Sequence, residues 1–512
     1  MALLHYLYLI YERTLTSTSV TSNKLKLITA IIALLTYKYR SHAIGTRRRD
    51  DLKEPKGAVP FLGHMFLMAS ILGTKLHDVF LKNYHELGLV WSISLPGIGR
   101  MVQGDSPELI EHVNKTNFAA YEKGGHFNVA LGDIFGDGII CTDGEDWKSQ
   151  RKQVTQVFNV KFFREYSSEA LSKESLKVLD CLDKAAASGA VVDFQEFSRA
   201  FALDSLGSAL FGESFGCIEN VKEKVPFIEA IMELLEIAST RLVDPLWKVR
   251  EAITTVELRP GTTRMIVKHR ADDWSDPDKK RDLLMMFMEA TDSDEQPYSD
   301  QYIVDMILNL MVAGLTTTSE GIAWTIYMLF REENDPEMLK AFVREVDEAF
   351  GDGLPAFETH KKLKFVEACF YETLRMFPAL PRNLRLCLKD DILPDGTRIY
   401  AGERFTWSPY TMGRSERVWG SDVETFKPSR WLDGEKSSSL KKFNPFHLGP
   451  RECIGQGFAV LQATTILGFK NFEVQLIEPG RSPAYGVGMT LPMIGGLPVR
   501  VSRRIPVADV KE

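Results

Sequence analysis

The stretch Phe446-His447-Leu448-Gly449-Pro450-Arg451-Glu452-Cys453-Ile454-Gly455 constrains this chain most, because a Gly/Pro-rich turn delivers one cysteine to the start of an apolar helical run. A cysteine there meets the positive end of the helix dipole and unpaired backbone N–H groups, both of which favour a thiolate. A thiolate so placed is a metal ligand or a nucleophile. Gly449 and Gly455 bracket it without side chains, which suits a backbone that turns sharply and admits something large and flat. Arg451 sets a fixed positive charge two residues before the sulfur, and Phe446 adds an apolar face. Haem needs these parts: an axial sulfur, room for the macrocycle, a cation for a propionate and a packed wall. The alternative is a buried structural cysteine on a loop, the usual fate of a lone cysteine.

A second constraint is the run from Tyr302 to Phe330, apolar nearly all round, which predicts a buried helix through the middle of the molecule. Its interior holds Ala313-Gly314-Leu315-Thr316-Thr317-Thr318. Glycine costs about 1 kcal/mol in a helix and threonines bond back to the preceding turn, so a local distortion is expected. A contact between helices built from small residues is the alternative. Lys364 to Phe377 predicts another helix, stopped by Pro378, which carries Glu372 and Arg375 among Phe365, Cys369, Phe370 and Leu374. Partial burial of that pair is expected, and a buried pair requires further partners. Asp146 is the expected cap of a helix on which Trp147 and Arg151 lie one turn apart. Indole N–H and guanidinium together can bind an anion; they can also form a surface cation–π pair.

Phe-x-x-Gly-x-Arg-x-Cys-x-Gly, with every defined position filled, resembles the haem-binding loop of the cytochrome P-450 monooxygenases. The resemblance runs from Pro55 to the C-terminus, with four motifs in the family's order. It implies a mainly α fold with a smaller β region, haem b held by Cys453, and Phe446, Gly449 and Arg451 around it. Trp147 and Arg151 match the helix that contacts a haem propionate, and Arg385 the second propionate arginine. Thr317 matches the oxygen-activating threonine and Gly314 the glycine of Ala-Gly-x-acid-Thr. Thr316 stands where the acid belongs, and a hydroxyl can relay a proton but supplies no charge. Glu372, Arg375 and, downstream in Phe426-Lys427-Pro428-Ser429-Arg430, Arg430 resemble a structural Glu-Arg-Arg network. O2, electrons from NADPH through a flavoprotein reductase and a small lipophilic substrate are the implied co-reactants.

The six scattered cysteines include no Cys-x-x-Cys pair and fit thiols in a reducing compartment. A net charge of −7 argues against nucleic acid as a partner. Ala2 to Tyr11 and Leu27 to Tyr37 are apolar runs, each shorter than the roughly 20 residues of a spanning helix. A span over Leu25 to Tyr39 with snorkelling lysines, or an interfacial helix, is expected within residues 1–45. Lys38, Arg40 and Arg47 to Arg49 follow it, which puts the body in the cytosol if it spans; the resemblance implies the endoplasmic reticulum membrane. Residues 46–63, with Pro55, Pro60 and Gly63, read as a stiff hinge, and 64–512 as the catalytic domain.

Short strands are expected at Val90 to Leu95 and Arg100 to Gln103, and a long irregular connection from Asn117 to Asp146. Leu203 to Phe211 and Phe227 to Leu242 carry apolar residues at helical spacing, Ala271 to Arg281 reads as a charged loop, and Val487 to Val501 as a final hairpin. Asn117 to Gly138, Ile392 to Gly396 and Tyr410 to Gly420 resemble the fatty-acid and alkane terminal hydroxylases of plants and fungi, so ω-hydroxylation of long-chain fatty acids is expected. Sterol or terpenoid oxidation is the rival within the class. A haem-thiolate isomerase or dehydratase of lipid hydroperoxides needs no reductase and would explain the missing acid; a haem-binding sensor is a further alternative.

Overall fold

The computed structural model describes residues 19–71, 76–158, 167–212, 214–221, 226–244, 247–248, 297–350, 357–432, 434–443, 445–468, 472–486 and 488–504. The apolar run Ala2 to Tyr11 and the loop Ala271 to Arg281 lie outside them.

The described helices include α1 Ser19–Lys38, α2 Gly125–Phe135, α3 Gly144–Val157, α4 Phe194–Phe211, α5 Pro226–Val243, α6 Asp300–Phe330, α7 Lys364–Met376 and α8 Gln456–Leu467. Among the described residues the ten strands are β1 Val90–Leu95, β2 Gly99–Gly104, β3 Tyr121–Glu122, β4 Val191–Asp193, β5 Asn383–Cys387, β6 Asp391–Ile392, β7 Arg398–Ile399, β8 Arg404–Trp407, β9 Phe472–Leu476 and β10 Pro498–Arg503. The fold is mainly helical with a smaller β part, as expected.

α6 is the axis. Ser299 caps it, its Oγ accepting from Tyr302 N at 3.2 Å, and α4, α7 and α8 pack around it. Gly321 lets α7 approach, since a Cβ there would meet the Phe370 ring at 2.9 Å. Trp324 stacks on Phe377 with ring centres 3.8 Å apart. The expected distortion at Ala313 to Thr318 is not seen. Thr317 Oγ1 donates to Ala313 O at 2.6 Å and Thr316 Oγ1 to Val312 O at 3.4 Å, yet the helix runs unbroken because packing on most sides holds it. α6 is also the one helix among the described residues long and apolar enough to cross a membrane, and it is mostly buried in the protein.

The five-stranded sheet has the order β1-β2-β8-β5-β3, with β2 and β8 parallel and Met101 opposite Arg404. β4-β10-β9 form a second sheet and β6-β7 a third. The expected C-terminal hairpin resolves differently: β10 pairs with β9 and β4, while Tyr485 and Met493 form one isolated bridge. A Cβ at Gly496 would lie 1.9 Å from Asp193 Oδ2, so the Gly495-Gly496 turn is bound to the start of α4. The connection Asn117 to Asp146 is less irregular than expected, for it contains α2.

On α1, Leu27, Ile28, Ile31, Ile32, Leu34 and Tyr37 are exposed. Residues 46–63 are docked on the body. Arg49 Nη1 meets Glu403 Oε2 at 2.7 Å with both side chains buried, Arg49 Nη2 donates to Arg398 O at 2.7 Å, and Arg100 pairs with Glu54.

Candidate active site

The turn at Cys453 is built from backbone contacts. Cys453 N donates to Phe446 O at 2.9 Å, a short 3-10 turn spans Gly449–Arg451, and α8 starts after Gly455. Gly449 has φ +76°, and a Cβ on it would lie 2.0 Å from Asn114 O, so glycine is required twice over. Gly455 has φ −81° and would place its Cβ an ordinary 3.9 Å from Cys453 Sγ. Phe446 is buried and meets Tyr371 edge-on, with centroids 5.8 Å apart, and Tyr371 OH accepts from Gln456 Nε2 at 2.9 Å.

Cys453 is open to solvent while its surroundings are dense. Burial raises its thiol pKa; the Gly455 and Gln456 N–H groups and the Arg151 charge pull the other way without overcoming it. The helix start therefore offers the polarity the sequence suggests, but proximity of a metal cation would be needed to complete deprotonation.

Four cations ring this turn. Arg151 donates to Glu452 O. Arg451 Nη2 meets Asp143 Oδ1 at 2.6 Å and Thr142 O at 3.0 Å, and its guanidinium stands 4.3 Å over the Trp147 ring. The indole thus stacks on Arg451 and not on Arg151, its neighbour one turn along. Arg385 is buried and Nη1 donates to Leu384 O at 2.9 Å, but Nε has no partner; burial and the Arg451 charge lower it to about 9. Lys123 donates to Ile140 O and is lowered by burial and by the Arg451 and Arg385 charges to about 7. Asp143 is the acid in direct contact with them, and the Glu122 and Glu452 carboxylates act on Arg451 and Arg151 from nearby. Asp143 occupies the N-cap position of α3 expected for Asp146, and its carboxylate accepts from Lys123 N at 3.1 Å and Gly124 N at 2.9 Å. Sequence reasoning missed Lys123 and Asp143, because each sits in a short loop with no periodic or motif signal.

A cluster with more buried positive than negative charge and an orphaned guanidinium nitrogen lacks an anion. Two propionates would supply it, and the open thiol beside a glycine-bracketed turn would supply the axial ligand. The residues present therefore fit haem.

On α6, Ala313 is exposed, and Gly314 and Thr317 are partly open along the same face. Thr316 is buried, so the structure does not bring it to the open face. The network behind the site centres on Glu372. Arg375 Nε and Nη2 meet Glu372 Oε2 and Oε1 at 3.0 and 2.9 Å, Trp431 Nε1 donates to Oε2 at 2.8 Å, Lys427 N to Oε1 at 2.9 Å, and Arg430 Nε approaches Oε1 at 3.4 Å. Arg375 Nη1 also binds Gly413 O.

Comparison with known proteins agrees with this geometry. Residues 53–486 match the family model described as Cytochrome P450. Cytochrome P450 monooxygenase cyp1 of Mycosarcoma maydis is 32% identical over 486 residues, covering 88% of this chain and 74% of that protein. Cytochrome P450 94B1 of Arabidopsis thaliana is 33% identical over 426 residues, covering 78% and 81%. Cytochrome P450 94B3 of the same plant is 32% identical over 464 residues, covering 83% and 89%. With the Cys453 turn, its ring of cations and the buried Glu372 network all in place, the chain belongs to the cytochrome P450 family and is a haem-thiolate monooxygenase.

Proposed function

We propose that this monooxygenase hydroxylates long-chain fatty acids toward the methyl end, with electrons from NADPH through a flavoprotein reductase. The observation that carries the reading is the open Cys453 thiol beside a cluster of Arg151, Arg385, Arg451 and Lys123 that outnumbers the acids facing it, Asp143, Glu122 and Glu452. Cys453 would hold the iron, and Trp147, Arg151, Arg385, Arg451 and Lys123 would hold the propionates, with Phe446 as packed wall and Gly449 and Gly314 giving room. Bound haem supplies an oxidant, formed from O2 and two electrons, that can remove hydrogen from a C–H bond. The protein's part is to exclude water, orient the chain and hold a proton. Thr317 Oγ1 donates to Ala313 O at 2.6 Å and keeps its lone pairs for a hydrogen bond from the cavity.

The fatty-acid reading rests on kinship of sequence with plant and fungal terminal hydroxylases, and the relatives above come from a plant and a fungus. The Tyr410 to Gly420 stretch, which carries part of that resemblance, is packed into the body: Arg414 lies 3.7 Å over the Tyr410 ring and Tyr410 OH donates to Asp78 at 2.9 Å. A cleft of about 840 Å³ beside the Cys453 turn is lined by Lys115, Lys436, Lys441 and Lys442 and by Glu111 and Glu452, an edge of net positive charge suited to an acidic flavoprotein. The exposed apolar side chains of α1, followed by basic residues, support attachment to the endoplasmic reticulum membrane with the body in the cytosol.

Reconstitution with a generic reductase, NADPH and long-chain fatty acids, read by mass spectrometry, tests the proposal. Terminal or near-terminal alcohols are expected. Turnover of lipid hydroperoxides without NADPH, and none of fatty acids with it, would replace this reading by the isomerase.

A further inference from the structure

Ala313, Thr317, Glu320 and Trp324 follow one another along α6. At about 100° per residue they fall within an arc of roughly 60°. The stripe begins at the open face, where Ala313 is exposed, and ends under a loop. Thr490 Oγ1 of that loop donates to Glu320 Oε1 at 2.9 Å, and Leu491 O accepts from Trp324 Nε1 at 2.7 Å. Glu320 stands about 60° from Thr317 around the helix, whereas buried Thr316 stands about 100° away.

Glu320 is buried, and its Oε2 has no hydrogen-bond partner. An orphaned carboxylate oxygen in the interior is costly, while the same oxygen bearing a proton is a donor. The groups around it are few. α4 brings Arg199, whose Nη1 is held by Glu196 and whose Nε has no partner. The loop brings the Thr490 hydroxyl and the Leu491 N–H, and α7 brings Phe370 and Leu374 against the adjoining Gly321. Burial outweighs the Arg199 charge and those two donors, and lifts the carboxyl to about 7.

We infer that Glu320 is a positioning residue that holds the proton normally supplied by the acid missing at Thr316, one turn along the stripe from Thr317. The proton leaves Oε2 for a water chain ending at Thr317 Oγ1 and returns from solvent; no electron and no carbon bond moves at Glu320. The inference rests on the family's monooxygenase chemistry and not on the fatty-acid substrate.

Glu320→Gln keeps an acceptor for Thr490 and removes the acid. In infrared difference spectra of the holoenzyme, a carboxyl band titrating near neutral pH is expected in wild type and absent in Glu320→Gln. Peroxide released per NADPH is expected to rise several-fold, and the neutral inflection of coupling against pH to vanish. Loss of the band with unchanged coupling and pH profile overturns the inference, as does a wild-type protein with no such band. Should Glu320→Gln fail to fold, Thr490→Val is expected to move the band to higher pH by removing a donor that favours the carboxylate; an unmoved band overturns it too. Because the band needs no substrate, failure to oxidise fatty acids counts against the substrate proposal alone.

Discussion

Glu372 and Arg375 meet through two hydrogen bonds, at 2.9 and 3.0 Å, and neither side chain reaches solvent. One turn of α7 sets the pair, but Trp431, Lys427 and Gly413 make it affordable by satisfying the remaining atoms. Removing one partner leaves a buried charge, which costs about 3–5 kcal/mol. Arg375→Ala is therefore expected to give little soluble, haem-loaded protein, and Arg375→Lys not to rescue it, because an ammonium cannot bind both oxygens in a fork. Haem content per polypeptide measures this; normal loading of Arg375→Lys would show that the fork is dispensable.

The two glycines that bracket Cys453 should part company. Gly449→Ala forces a left-handed backbone, worth about 1–2 kcal/mol, and drives a methyl into Asn114 O, so a lowered melting temperature and poor haem uptake are expected. Gly455→Ala meets neither obstacle and should stay within about 1 kcal/mol of wild type in the cofactor-free protein. Equal destabilisation by both would contradict the backbone argument.

Arg385→Leu should act in opposite directions with and without cofactor. Replacing a buried guanidinium with an unpartnered Nε is expected to raise the melting temperature of the haem-free protein. Losing a charged partner worth about 1.5–3 kcal/mol should speed haem loss at least ten-fold. Differential scanning fluorimetry and haem transfer to apomyoglobin read the two effects; destabilisation of both states would mean that Arg385 is fully satisfied without haem.

Acid sensitivity should be traceable to His77. It is buried between Tyr410 and Tyr485, neither ring nitrogen has a partner, and burial with the Arg382 and Arg414 charges lowers it to about 3. Below its unfolded value of 6.5 the unfolded chain takes up a proton that the folded one refuses, so stability falls as pH drops from 6.5 toward 3, by on the order of 1.4 kcal/mol per pH unit. His77→Phe removes that titration, and the slope of melting temperature against pH below 6.5 should flatten. An unaltered slope would assign the sensitivity to other groups.

The sulfur side of this site was legible in the sequence because its residues are contiguous: a turn, an arginine and a cysteine in ten positions. The Glu372 network was legible for the same reason, with Arg430 recovered from a downstream motif. Lys123 and Asp143 were not, since a loop carries no periodicity and their meeting with Arg451 depends on a separation of more than 300 residues. The α6 distortion failed because propensity was read locally while packing on α4, α7 and α8 decides. The docked segment 46–63 was hidden by its prolines, which signal stiffness but not that Arg49 reaches Glu403.

The parallel pairing of β2 with β8 also sets an order of events during synthesis. Met101 has no strand to join on that side until Arg404 of the 512 residues has left the ribosome, and Asp105 waits likewise for Ser408, whose N–H it accepts at 2.7 Å. Until then the N-terminal sheet stands with a bare edge, the condition under which chaperones are recruited. Cys453 is made later still, so the edge of β2 stays open while the roughly 300 residues between Met101 and Arg404 are added.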